Sequence, residues 1–206
     1  VRRFKTTQER NESEMKKIRL KINTSRRLFK KEASTEDCKK WVAAQGPYVP
    51  ELVEFVQRHE QEYDCLLFYT YLYYPTVSGI AANPAKTIFI PTAHDEWAIY
   101  LPIYRPLFLE PAFIMYNTPA EKRFVHGLFN NAQVKFAIAG AGVDLPAHIP
   151  GRDVKKDMNI DSDYILYVGR INPKKISRED FKFFEKYVKA SGKDIKLVLI
   201  GNAQMK

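Results

Sequence analysis

Cysteine is scarce. The 206 residues hold two, Cys38 and Cys65, far apart and outside any C-x-x-C spacing. That pattern excludes a disulfide framework and a cysteine-built metal site, and because each lies in an apolar-patterned segment both thiols are expected to be buried. Long hydrophobic runs are missing too: no stretch approaches the roughly 18 apolar residues that a membrane-spanning helix needs. The opening VRRFKTTQER has no signal-type apolar core. Internal repeats and low-complexity tracts are absent, and a hydrophobic content of 45% places the chain outside the disordered and fibrous classes. The setting expected from these absences is cytoplasmic, with peripheral contact at the inner face of the membrane open to one segment of the chain.

That segment is defined by charge. Residues 1–31 carry twelve Lys or Arg against three acids, a balance of +9 that equals the net charge of the whole chain, so the remainder is neutral. Membrane headgroups and polyanionic glycans suit such a stretch, an anionic membrane surface being the partner named for residues 1–31. Nucleic acid carries the same kind of charge but is not the expected partner. A merely solvated basic helix accounts for the same residues, with Met15, Ile18 and Ile22 as its apolar face.

The rest of the chain alternates strand and helix patterns. VRRF reads as strand-like. Ser34 caps a segment in which Cys38, Trp41 and Val42 share a face, Gly46-Pro47 stops it, and Pro50 opens the next helix with Leu52, Val53, Phe55 and Val56 inward. Asp64 to Tyr69 reads as a buried strand, and the tyrosines of TYLYYPT that follow serve either as core or as a platform for sugar rings. Thr87 to Thr92 is a strand that delivers Ala93, His94, Asp95 and Glu96 to its carboxyl end. A histidine beside two acids at a strand edge is a candidate for acid–base chemistry, or a loop histidine bonded to Asp95. Pro102 and Pro106 break the apolar run from Trp97 to Leu109 into loop and short helix. Ala112 to Tyr116 is another strand, Thr118 and Glu121 form a capping box, and Phe124, Val125, Leu128 and Phe129 face inward. Val134 to Ala139 then runs into Gly140 and Gly142, a glycine hinge.

The most informative stretch lies beyond that hinge. Tyr164 to Val168 reads as a buried strand broken by Gly169, with Arg170, Lys174 and Lys175 close behind it. Ser177 with Asp180 opens a helix whose stripe is Phe181, Phe184, Tyr187 and Val188, Gly192 closes it, and Ile195 to Ile200 is a second strand. This is a βαβ unit with cations and a helix N-terminus at the carboxyl edge of its first strand, where open α/β sheets take ligands and where a phosphate or diphosphate fits. His94-Asp95-Glu96 lacks the paired histidines of a zincin, so no catalytic zinc is expected.

The order of AGAGVD at residues 139–144, a spacer, YILYVGRI at residues 164–171 and a lysine pair resembles the domain junction of GT-B glycosyltransferases of family four. QGPYVPEL, FYTYLYYPT and PTAHDE are very similar to a bacterial subgroup of that family. The resemblance implies an α/β fold of two Rossmann-like domains (GT-B type), both incomplete in this chain: 1–143 as the later part of the N-terminal, acceptor-side domain, and 144–206 as linker and first βαβ unit of the donor domain. It implies retaining transfer of a sugar from a nucleotide-sugar donor to a glycan or lipid-linked acceptor, as in assembly of cell-envelope polysaccharide. No cofactor or metal is expected. By position it assigns the donor diphosphate to Gly169, Arg170, Lys174 and Lys175, and a catalytic contact facing the inter-domain cleft to His94. Ile176 stands where the family commonly has Gly, which leaves the choice between the two lysines open. The family's glycine loop and its E-x7-E donor segment are absent from the chain, so the expectation is an inactive fragment of a longer enzyme. The alternatives are a non-catalytic basic module that binds membrane or nucleic acid, and a GT-B-like nucleotide-sugar epimerase.

Overall fold

The computed structural model of the protein describes residues 1–145, 147, 151, 153–173 and 175–203. They fall into two compact units, Val1–Val143 and Asp144–Lys206. The architecture is α/β, Rossmann-like, built on parallel strands.

In the first unit the helices α1 (Glu12–Phe29), α2 (Thr35–Gln45) and α3 (Pro50–His59) precede strand β1 (Leu66–Tyr69). Alternation then sets in: α4 (Tyr74–Ile80), β2 (Thr87–Ile90), 3₁₀ turns and the short α5 (Arg105–Leu109), β3 (Phe113–Tyr116), α6 (Pro119–Phe129) and β4 (Phe136–Ile138). The sheet is parallel throughout, in the order β1-β2-β3-β4. In register, Leu66, Phe68, Thr87, Phe89, Ile114 and Tyr116 share one face, and it is the covered one. Phe89 and Ile114 are fully buried there, against a core that includes Ile99, Tyr104, Phe108 and Val125.

Burial of α1 follows its apolar face. Met15, Ile18 and Ile22 are buried, Asn11 caps the helix through the Glu14 N–H, and Lys21 reaches Asp37 on α2 at 2.6 Å. That bond, aided by Ser34, holds the Asp37 carboxyl below the usual carboxylate range against the opposing effect of burial. Ser34 caps α2, Gly46 ends it at φ +59°, and Pro50 stands in the first turn of α3, as the sequence signals require.

Several expectations about burial need correction. Residues 64–69 do not make a buried strand: β1 is an edge strand with one covered face, and Leu67 and Tyr69 on the other are 58% and 56% exposed. Strand β4, at the opposite edge, is exposed along its length. Cys65 lies just ahead of β1 and is exposed, whereas Cys38 on α2 is buried. VRRF forms no strand. Arg2 and Phe4 instead pack on the Phe55 ring of α3, at 4.3 and 5.3 Å, and that stacking replaces sheet pairing. In the tyrosine stretch Tyr71 is a core residue, edge-on to Tyr104 at 5.0 Å, so it offers no sugar platform.

The second unit holds α7 (Val154–Asp157), β5 (Asp163–Val168), α8 (Arg178–Ser191) and β6 (Ile195–Ile200). β5 and β6 pair in parallel from Asp163↔Ile195 to Val168↔Ile200, the βαβ unit expected from the sequence. The two strands form a sheet of their own. For that reason β5 is not the buried strand its apolar composition predicts, and Ile165, Leu166 and Val168 are exposed. On α8, Phe181, Phe184 and Val188 are half-buried, while Tyr187 is exposed. Ser177 and Asp180 make the reciprocal capping box, and Gly192 ends the helix in the left-handed conformation.

Candidate functional site

The candidate residues lie at two carboxyl edges, one in each unit. In the first unit β2 ends at Ile90, and Pro91, Thr92 and Ala93 lead the chain to His94. The neighbouring β3 ends at Tyr116 and passes through Asn117 to Thr118, the N-cap of α6. Thr118 accepts the Glu121 N–H through its hydroxyl at 3.0 Å, which is half of a capping box. The other half is not made. The Glu121 carboxylate accepts the Asn117 N–H at 2.7 Å through one oxygen and the Ala93 N–H at 2.6 Å through the other. Glu121 is 7% exposed, and a buried carboxylate is tolerable only with such bonds. It therefore staples the loop after β2 to the loop after β3.

The staple forms the floor of a cleft of about 360 Å³ lined by Ala93, His94, Asp95, Thr118, Glu121 and Phe124. His94 projects into solvent, its side chain 69% exposed. Its Nδ1 lies 3.4 Å from the Thr92 carbonyl and its Nε2 lies 3.6 Å from Glu96 Oε1. The histidine thus pairs with Glu96 and not with Asp95, whose carboxylate accepts the Tyr100 hydroxyl at 2.9 Å. Glu96 in turn accepts a short hydrogen bond from the Tyr71 hydroxyl. Burial first, and that bond second, push the Tyr71 hydroxyl far above its usual range, so it remains a donor. Tyr71 is hydrogen-bonded to Glu96, and the Glu96 carboxylate lies near the accessible His94 imidazole. Such an imidazole can exchange a proton with a bound group or hydrogen-bond to it.

In the second unit the loop after β5 is held by backbone pairing that continues past the strands. Gly169 N–H donates to Ile200 O at 2.9 Å and Ile171 N–H to Asn202 O at 3.0 Å. Gly201 sits so close that a Cβ on it would fall 1.7 Å from the Gly169 carbonyl oxygen; only glycine fits. Tyr167 donates its hydroxyl to the Arg170 carbonyl at 2.9 Å, and Ile176 is buried. Side chains of Arg170 and Lys175 are exposed, and neither has an ion-pair partner among the described residues. Lys174 lies outside the described residues. The helix N-terminus is less open than its sequence suggests: the Ser177 and Asp180 N–H groups are both bonded inside the capping box, at 2.7 and 3.4 Å. What this edge offers an anion is chiefly two unpaired cations.

Comparison with models of protein families finds no match, and no curated protein matches the sequence.

Sequence reasoning singled out His94, Arg170 and Lys175 and missed Glu121 and Tyr71. The threonine-to-glutamate spacing pointed to Glu121, but as a local cap; its burial and its bond across to Ala93 are tertiary facts. Replacing Glu121 with Gln swaps one acceptor oxygen for a donor that faces an N–H. We expect Glu121→Gln to destabilise the first unit by about 2 kcal/mol and to speed hydrogen exchange at the Ala93 and Asn117 amides. Unchanged melting and exchange would show that the staple carries no stability.

Proposed function

We propose that the protein acts as a GT-B type glycosyltransferase, moving a sugar from a nucleotide-sugar donor to a glycan or lipid-linked acceptor. The observation that carries this reading is the pair of unpaired cations, Arg170 and Lys175, on a loop fixed by glycine packing at the carboxyl end of β5. Breaking a sugar–phosphate bond leaves negative charge on the departing diphosphate. Cations already in place stabilise that charge without reorganising, which lowers the barrier. The motif resemblance of residues 139–175 agrees with that role and assigns the transferred sugar to His94. An epimerase acting on nucleotide sugars would use the same cations, and detection of a transferred product separates the two.

A specific observation also favours a membrane partner. On α1 the side chains of Leu20, Leu28 and Phe29 are 65–69% exposed, among Lys16, Lys17, Arg27, Lys30 and Lys31. Of these, Leu20 and Leu28 lie on the side of α1 away from Met15, Ile18 and Ile22, near Lys16, Lys17 and Arg27 in helical position; exposed apolar groups among cations suit an anionic bilayer better than nucleic acid, because the apolar groups gain only where they leave water.

For the diphosphate site, titration with a nucleoside diphosphate should shift backbone amides of Gly169 to Ser177, with a dissociation constant on the order of millimolar, about −4 kcal/mol. Arg170→Ala should abolish the response; silence of that loop at high ligand would refute the site. For the membrane contact, co-sedimentation should retain the protein on anionic vesicles and lose it as salt rises, with Leu20→Ser/Leu28→Ser reducing retention at fixed salt. Equal retention on neutral vesicles would contradict this.

A further inference from the structure

Between α2 and α4 lies a hollow that the transfer reaction does not use. Its volume is about 340 Å³, within the range of roughly 300–1,000 Å³ typical of small-molecule sites. Val42, Val77 and Ile103 give it apolar walls, and Tyr48 and Tyr74 form one side with ring centroids 4.4 Å apart, tilted by 56°. Burial pushes the Tyr74 hydroxyl up, and its polar neighbours are Ser78 and Tyr48.

The wall is fixed in advance. Tyr48 donates its N–H to the Gln8 carbonyl at 2.8 Å, and its own carbonyl accepts both the N–H and the hydroxyl of Thr7 at 2.9 Å. The preceding turn depends on Gly46: a Cβ there would meet the Arg10 nitrogen at 3.0 Å, in a backbone conformation that already disfavours side chains. The Gly46-Pro47-Tyr48 motif thus holds an aromatic ring at the mouth of a cavity, and a wall held before binding spares the ligand the entropy of ordering it.

The charged side chains that line the hollow are Lys39 and Lys40, while Glu54, outside the lining, faces the Tyr74 hydroxyl. Lys40 is engaged with Glu36 at 3.3 Å, but Lys39 has no carboxylate partner among the described residues and is exposed. No acid lines the hollow. A free sugar would leave most of its hydroxyls facing Val42, Val77 and Ile103 without partners, and a bare inorganic anion would leave those walls wet.

We infer that this hollow binds a small amphipathic anion, with an apolar body against Tyr48, Tyr74 and Val77 and a carboxylate or phosphate head at Lys39. The inference does not depend on the glycosyltransferase reading.

Four probes test it: octanoate, octyl phosphate, 1-octanol and inorganic phosphate, each titrated while backbone amides are followed. Octanoate or octyl phosphate should saturate with shifts at Tyr48, Val77 and Ser78, the stronger of the two identifying the head group. Octanol should bind at least tenfold more weakly, and inorganic phosphate should leave these amides unmoved. Lys39→Glu, a surface change that leaves the fold intact, should weaken the better anion about tenfold, the scale of one charge-assisted contact. Ala43→Trp, which fills the hollow from α2, should remove binding. Octanol binding as tightly as octanoate, affinity untouched by Lys39→Glu, the same response to inorganic phosphate alone, or shifts centred on Leu67 and Tyr69 would each overturn the proposal.

Discussion

A buried carboxylate is the constraint on which the carboxyl edge of the first unit depends. Taken out of water, Glu121 needs donors that do not move, and two backbone N–H groups from different loops supply them. Because those loops follow β2 and β3, the bond sets where the chain turns after each strand. His94 stands one residue beyond Ala93, so its backbone position is set by the same bond. The loop backbone next to the histidine is thereby tied at the rim of the cleft. The side chain lies 3.6 Å from Glu96, which is itself held by the Tyr71 hydroxyl from the core.

The second unit reaches a comparable result by packing. Gly201 lies so close to the Gly169 carbonyl that it can carry no side chain, and the pairing runs on to Ile171 and Ala203. The loop that bears Arg170 and Lys175 is thereby attached to β6 as well as to β5. The capping box of α8 takes up the Ser177 and Asp180 N–H groups, so the side chains of Arg170 and Lys175 are the exposed polar groups of this loop.

Local signals in the sequence were dependable where a single element decides the outcome. Ser34, Ser177, Gly46 and Gly192 punctuate helices at the places they mark, and the period of Met15, Ile18 and Ile22 gives the buried face of α1. The signals misled where the outcome depends on neighbours. LLFY and YILYV read as buried because a continuous apolar run is what a central parallel strand shows, yet β1 is an edge strand and β5 has one partner. Cys65 shares that error. Glu121 is the sharper case: the spacing that makes a capping box names the right residue and the wrong bond, because a glutamate at that position can reach back to its own cap or across to another strand's loop. The pairing of His94 with Glu96 and not Asp95 likewise depends on Tyr71, 25 residues from Glu96 in the chain.

Turnover decides the central proposal, that the protein cleaves a nucleotide-sugar donor. The direct measurement follows nucleoside-diphosphate release from a panel of nucleotide sugars by phosphorus NMR, comparing the protein with its His94→Ala variant. The account predicts release from one donor class, with His94→Ala lowering turnover far more than it lowers diphosphate affinity. Full turnover in His94→Ala, or no release from any donor while Gly169 to Ser177 still binds the diphosphate, would contradict it.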